Sequence, residues 1–398
     1  MNIILVSDAY SPMNSSAAIH MEDLAFALTD LNVSTTILVP SPDLSAPLHI
    51  FKQDNITIIR LKTSNFKSTN LFKRTLFEFV MPYQMIKTLI SRKILPNHCD
   101  GIAWYSPSIF FFPLIFFLKR KYKTSSYLIL RDIFPQWAFD LGVINSKLIF
   151  YTLKFLSLFQ FFIADKIGIQ SQGNFQFLPQ FIRIKKEIEV FDNWFTPRII
   201  LSNNFKELSK NTNLIVYTGN MGIAQGLEYV ATTIHKILEK NSVACTFLFI
   251  GKGSYKSKLQ NFFKNQNYNN VIFSDEVNPN DIPSLLSFSK FGIVALDHRH
   301  RTHNIPGKFI TYMMYKTPVI VFTTLNSDLA NLVLQENLGI VIDPTLETNI
   351  EDILNFLSLP INNPSKYEEL RTNCHNLYSK RFRSKTAAEK LIHFFSKT

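Results

Sequence analysis

The sequence predicts an α/β protein made of two tandem Rossmann-like, doubly wound domains. Three observations carry that expectation. The chain has 398 residues, which at roughly 100–200 residues per domain is room for two separate cores. Short, continuous apolar runs recur along it, the pattern of parallel strands buried on both faces. Between those runs apolar residues recur at helical spacing, and strands alternating with helices build a parallel sheet. A hydrophobic share of 46% against 18% charged excludes a disordered chain.

The first run, Asn2 to Val6, reads as a buried strand. No basic region precedes it and Asp8 ends it early, so a strand is expected there rather than a leader peptide. Met21, Leu24, Leu28 and Leu31 then follow at helical spacing from Ala17, with Ser15 or Ser16 as the cap. Residues 35–39 close a βαβ unit. Further strands are expected at 101–105, 127–130, 167–170 and 189–191. In the second half, apolar runs begin near Leu214, Thr246, Val271, Gly292, Pro318 and Gly339, with a helical pattern such as Leu227, Val230, Ala231, Ile234 and Leu238 between them. The expected divisions are a first domain over 1–196, a polar linker over 197–212, a second domain over 213–379 and a basic terminal helix over 380–398. Ligands of such sheets bind at the carboxyl ends of the strands, so the site is expected in a cleft between the two domains.

The formal net charge is +12, which points to an anionic partner or a solvated basic surface. The basic residues are scattered and form no nucleic-acid module, so nucleic acid is not expected as the partner. Cys99, Cys245 and Cys374 are too far apart for a metal or redox spacing and read as buried reduced thiols. Residues 109–118 (IFFFPLIFFL), followed by Lys119, Arg120, Lys121 and Lys123, and residues 148–164 (LIFYTLKFLSLFQFFIA) are apolar almost all round. The first has about half of the ~20 residues a span needs, and the second is interrupted by Lys154 and Gln160. They read either as core helices or as interfacial helices with their lysines on lipid phosphates.

The chemistry is expected in the loops after the strands. Gly219, Asn220 and Gly222 follow the first strand of the second half, and Gln225 opens a helix. Glycines there let a phosphate approach backbone N–H groups at a helix start. Gly251 and Lys252 form a second glycine turn, and Glu276 and Val277 follow the third strand, where backbone groups can read a base. The densest loop is 297–308 (DHRHRTHNIPGK). Gly307 permits close approach, and Lys308 falls in a first helical turn, where a cation opposes the helix dipole unless an anion sits above it. Arg299 and Arg301 add positive charge. His298, His300 and His303 lack a carboxylate or Cys partner placed for a metal, so a basic loop is expected and no metal. In the first half Arg131 and Asp132 follow a strand, and Asp132 is placed to orient an acceptor hydroxyl or take its proton.

Taken together, YTGNMGIAQGLEYV (217–230), FIGKGS (249–254) and NIPGKFITYMMYKTPVIV (304–321) resemble the family-four retaining glycosyltransferases of GT-B fold. With the RDxxP segment from Arg131 and the Asn193-Trp194 pair, the chain is similar to a subgroup acting in bacterial O-antigen and capsule assembly, L-fucosamine transferases among them. The resemblance implies a UDP-linked or similar donor, retention of configuration and no catalytic metal or other cofactor. It also implies an acceptor held by the first domain, near Ser15, Ser16 and Arg131, and a nucleotide held by the second, with Asn304 and Thr311 on the donor side. The chain departs from the family pattern at several places. His303 and Thr311 stand where two glutamates are common, Asn220 and Gln225 where a basic pair is, and Ser15-Ser16 where a Gly-Gly pair is.

The expected function is therefore transfer of a sugar to a lipid-linked glycan. The diphosphate would be neutralised by Lys308, a permanent cation, and by an arginine. The enzyme is expected to be cytoplasmic, peripheral on the inner face of an anionic membrane. The alternatives are a nucleotide-sugar epimerase of the same fold or an inactive membrane-bound scaffold.

Overall fold

The computed structural model of the protein describes residues 1–13, 15–65, 71–106, 108–198, 205–210, 212–275 and 277–397, without the side chains of 71–74 and 279. The chain divides into two compact units, Met1–Phe195 with Arg383–Thr398, and Thr196–Phe382.

The first unit runs β1 (Asn2–Val6), α1 (Ser16–Asp30), β2 (Ser34–Pro40), β3 (Leu48–Gln53), β4 (Ile56–Leu61), α2 (Leu71–Arg92), β5 (Gly101–Ser106), α3 (Phe112–Tyr122), β6 (Ser125–Leu130), α4 (Gln136–Asp140), α5 (Lys147–Ile163), β7 (Lys166–Ile169), α6 (Gln180–Lys185) and β8 (Glu187–Val190). Its sheet has the order β3-β4-β2-β1-β5-β6-β7-β8, parallel except for β3, which pairs antiparallel with β4. The continuous apolar runs follow from burial on both faces. Ile4 and Val6 of β1 face a core with Met81 and Met85 of α2 and Leu114 and Leu118 of α3. Ile3 and Leu5 face the opposite core with Met21 and Leu24 of α1.

The second unit runs β9 (Asn213–Thr218), α7 (Leu227–Lys240), β10 (Cys245–Ile250), α8 (Lys256–Asn265), β11 (Val271–Ser274), α9 (Ile282–Phe288), β12 (Phe291–Ala295), α10 (Gly307–Met314), β13 (Val319–Phe322), α11 (Asp328–Gln335), β14 (Gly339–Ile342), α12 (Ile350–Leu357), α13 (Leu359–Asn362) and α14 (Pro364–Leu377). Its strands lie in the order β11-β10-β9-β12-β13-β14, all parallel. The order reverses between β9 and β12, so the crevice for a ligand opens at the carboxyl ends of those two strands.

The last helix, α15 (Ser384–Phe395), is part of the first unit. Its Ala388, Leu391 and Phe395 join the core under α1. Lys390 Nζ donates to the Val190 carbonyl at 2.9 Å. The basic character of the segment hid the apolar face that fixes it. Of the linker expected over 197–212, residues 199–204 and 211 lie outside the described residues, and the rest is counted with the second unit.

Residues 48–61 form a hairpin that the apolar runs do not reveal, because β3 is an exposed edge strand with no buried residue. Helix α2 also went unread. The three cysteines are free and buried. Among the described residues no helix is long and apolar enough to cross a membrane.

Candidate active site

Three loops of the second unit meet at the carboxyl end of its sheet. The turn after β9 begins at Gly219, whose φ of +112° favours glycine. Gly251, in the turn after β10, presses on it: a Cβ there would lie 2.0 Å from the Gly219 carbonyl oxygen. Within the first turn, Gln225 Oε1 accepts from the Gly222 N–H at 2.9 Å and the Tyr217 hydroxyl donates to the Asn220 carbonyl at 2.5 Å. The two neutral residues that replace a basic pair thus serve to shape the turn. The loop after β12 joins through Asp297, whose N–H donates to the Ala224 carbonyl at 2.9 Å.

Lys308 lies in the first turn of α10, which has no acidic residue and no side-chain cap at its start. Its Nζ sits 3.6 Å from the centre of the Tyr217 ring, and a Cβ on Gly219 would be 3.7 Å from it. The residue is half-buried, and burial pulls the amine down to about 7 from the usual lysine range. A neighbouring anion would raise it again and favour the charged form.

The other expected donor residues are placed differently. Arg299 is tied to its own loop: Nε and Nη2 each donate to an Asp297 carboxylate oxygen at 2.8 Å. The Arg299 guanidinium holds that carboxyl below its ordinary value against the opposing effect of burial. In this structure the Arg299 guanidinium therefore faces Asp297 rather than the glycine turn. Arg301 is exposed. His303, at a glutamate position of the family pattern, has φ +55° and accepts from the Asp328 N–H at 3.2 Å, capping α11. Thr311 donates its hydroxyl to the Gly307 carbonyl at 3.2 Å, inside its own helix. Asn304 is half-buried and Lys252 exposed, while the Lys252 carbonyl accepts from the Met221 N–H at 2.7 Å. Val277 follows β11, two strands from β9. Glu276 lies outside the described residues. Among the described residues no group of His, Cys, Asp and Glu is placed to hold a metal.

At the strand ends of the first unit, Ser15 caps α1 by accepting from the Ala18 N–H at 3.2 Å, and Ser16 is exposed. Arg131 is buried. It donates to the Phe191 carbonyl and to Asn193 Oδ1 at 2.7 and 3.0 Å, and its guanidinium lies 5.0 Å from the Trp194 ring. It thereby pins the Asn193-Trp194 pair to the end of β6 and leaves Asp132, half-buried, at the edge. Sequence reasoning missed His20. Its Nδ1 is 2.9 Å from the Tyr105 hydroxyl, and its Nε2 has no partner among the described residues. Burial first, and the Arg131 charge second, bring its pKa down to about 3, so the ring is neutral. Its place on the apolar face shared by Met21, Leu24 and Leu28 was a legible signal.

Residues 212–358 match the family model for glycosyl transferases group 1. The enzyme class is accordingly glycosyl transfer. Among solved structures the whole chain is similar to an E. coli trehalose-6-phosphate protein bound with UDP-2-fluoro glucose, with TM-score 0.75, 12% identity, and coverage of 100% of this chain and 99% of that one. Sucrose-phosphate synthase from Thermosynechococcus elongatus gives TM-score 0.72 at 13% identity, covering 100% and 98%. Anabaena HepE in complex with UDP gives 0.67 at 14%, covering 100% of both chains. These likenesses show the fold, two parallel-sheet Rossmann-like domains of GT-B type. The sequence matches no curated protein. The second unit holds the glycine turns and Lys308, whereas Arg131, Asp132 and His20 lie in the first.

Proposed function

We propose that the protein is a retaining glycosyltransferase that uses a nucleoside diphosphate sugar, with UDP as the nucleotide. Its acceptor is a lipid-linked glycan of surface polysaccharide synthesis, and it works at the inner face of the cell membrane. The observation that carries the donor reading is Lys308, its amine over the Tyr217 ring beside Gly219, at a helix start where three strand-end loops converge. Backbone N–H groups and a single amine suit a compact diphosphate. The UDP held by Anabaena HepE supports the choice of base. The resemblance to L-fucosamine transferases suggests an amino-deoxyhexose as the sugar.

In the transfer, the bond from the anomeric carbon to the diphosphate oxygen breaks and a bond from that carbon to the acceptor oxygen forms. Negative charge grows on the leaving diphosphate. A charged Lys308 preorganised beside it stabilises that charge more in the transition state than in the ground state. The acceptor proton passes to a base on the first-unit side, for which Asp132 is the candidate.

The test is calorimetric binding of UDP, GDP and dTDP with EDTA present, for the wild type and Lys308→Ala. Micromolar binding of UDP, weakened in the variant, is expected. If none of the three binds, the donor reading fails and an inactive scaffold takes its place.

A further inference from the structure

Helix α5 is apolar on both of its faces. Its buried face carries Phe150, Leu153 and Phe161 together with Ser157 and Gln160. Its outward face carries Leu148, Tyr151, Phe155, Phe159 and Phe162, of which Leu148 is 78% exposed. These five recur at spacings of three and four, one continuous stripe along the helix. Helix α2 repeats the pattern with exposed Leu76, Phe79, Tyr83 and Ile90. Between the two stripes, where α2, α3 and α5 come together, lies an apolar groove of about 590 Å³ whose walls include Tyr83, Phe112, Phe116 and Phe159. At the far end Phe181 of α6 stacks on Phe162 at 5.6 Å. An aromatic surface continuous over four helices exceeds the scattered apolar residues that a soluble surface normally shows.

Its charge is one-sided. Helices α3, α5 and α6 contain Lys119, Arg120, Lys121, Lys147, Lys154, Arg183 and Lys185 and no Asp or Glu. Lys119 pairs with Asp165. The Arg120 guanidinium and the Lys154 amine each lie 5.5 Å from a ring centre, of Phe116 and Phe150 respectively, so these cations are held against aromatic carbon. A protein partner of ordinary composition would be met by carboxylates as well as cations. Cations on all four helices, against the single helical carboxylate Glu78 of α2, complement an anionic, apolar-cored layer.

We infer that the outer face of α2, α3, α5 and α6 is a docking surface for an anionic phospholipid leaflet. The α5 stripe lies among the acyl chains, and the lysines and arginines lie at the phosphates. This rests on the proposed lipid-linked acceptor and deepens it, since it names which face of the first unit the lipid meets.

The test is flotation of the full-length protein with phosphatidylcholine vesicles, with and without 30 mol% (an order-of-magnitude choice, about a third) phosphatidylglycerol. The two variants are Tyr151→Ser/Phe155→Ser and Lys121→Glu/Lys154→Glu, whose substituted side chains are exposed. The wild type is expected to float with the anionic vesicles only, less so at high salt. The charge variant should lose at least about tenfold in partitioning, at roughly fivefold per cation removed from the surface. The aromatic variant should lose a comparable factor. The inference is overturned if the wild type binds neither vesicle, if both variants bind as the wild type does, or if sedimentation shows a dimer that Tyr151→Ser/Phe155→Ser dissolves while vesicles are ignored. UDP binding is measured on the same samples. Its retention without vesicle binding would sink this inference alone, and vesicle binding without UDP binding would sink the donor reading alone.

Discussion

The two units use positive charge in opposite ways. In the second, one amine is partly buried over an aromatic ring at a helix start, and burial draws its pKa to about 7. In the first, cations stand on the outside of aromatic residues, on helices without a single carboxylate over α3, α5 and α6. Burial makes a cation selective, because only a ligand that brings its own negative charge restores full protonation. Dispersal makes cations additive, each contributing a little toward any extended anionic surface. The same residue types thus support recognition of one small group in one unit and of a plane in the other.

The largest expected effect tests the partly buried amine. Lys308→Ala should lower turnover by roughly 10²-fold or more, as for other preorganised charge stabilisers. Steady-state assays with a saturating donor would show it, and near-normal turnover would erase the contrast between the units. Next comes pH. The free-site pKa of about 7 means that the cation is fully formed below that value and must be formed by proton uptake above it. UDP affinity should therefore fall as pH rises through and beyond 7, by up to about tenfold per pH unit. Between pH 7.5 and 9 the terminal phosphate, with its second pKa near 6, is already ionised and adds little slope. Calorimetry in buffers of different ionisation enthalpy should detect proton uptake in the wild type and none in Lys308→Ala. Equal affinities across that range would show that the amine stays charged. The smallest effect is expected at Arg299, which faces Asp297 rather than the turn. Arg299→Ala should change turnover by less than about threefold. It should cost about 0.2–1 kcal/mol of stability, as an exposed pair does. A loss comparable to that at Lys308 would return the arginine to the diphosphate.

Both sheets were legible because their strands are apolar on two faces, a local property of runs such as Asn2–Val6 and Asn213–Thr218. The β3–β4 hairpin was not, since an exposed edge strand such as Leu48–Gln53 has no reason to be apolar. At the candidate site, Lys308 was legible from the Pro-Gly-Lys start of a helix. Its seat on Tyr217 was not, because that contact joins residues from β9 and α10. The pairing of Arg299 was not legible for the opposite reason. Its partner is two residues away, and a charge count takes no notice of a turn that folds one side chain onto its neighbour. His20 stood in the apolar pattern of α1, but no periodicity announces that Tyr105, Trp194 and Phe195 will surround it.

The return of α15 to the first unit orders events in time. Phe394 meets the Tyr127 ring at 5.5 Å, and Phe395 fills the space that the missing side chain of Gly101 leaves. The second unit is a continuous stretch of chain, so during synthesis everything it needs is present once residue 382 has left the ribosome. The first unit, begun earlier, still lacks a wall of its α1-side core at that moment. That side of its sheet stays uncovered until residues 384–395 have been made as well.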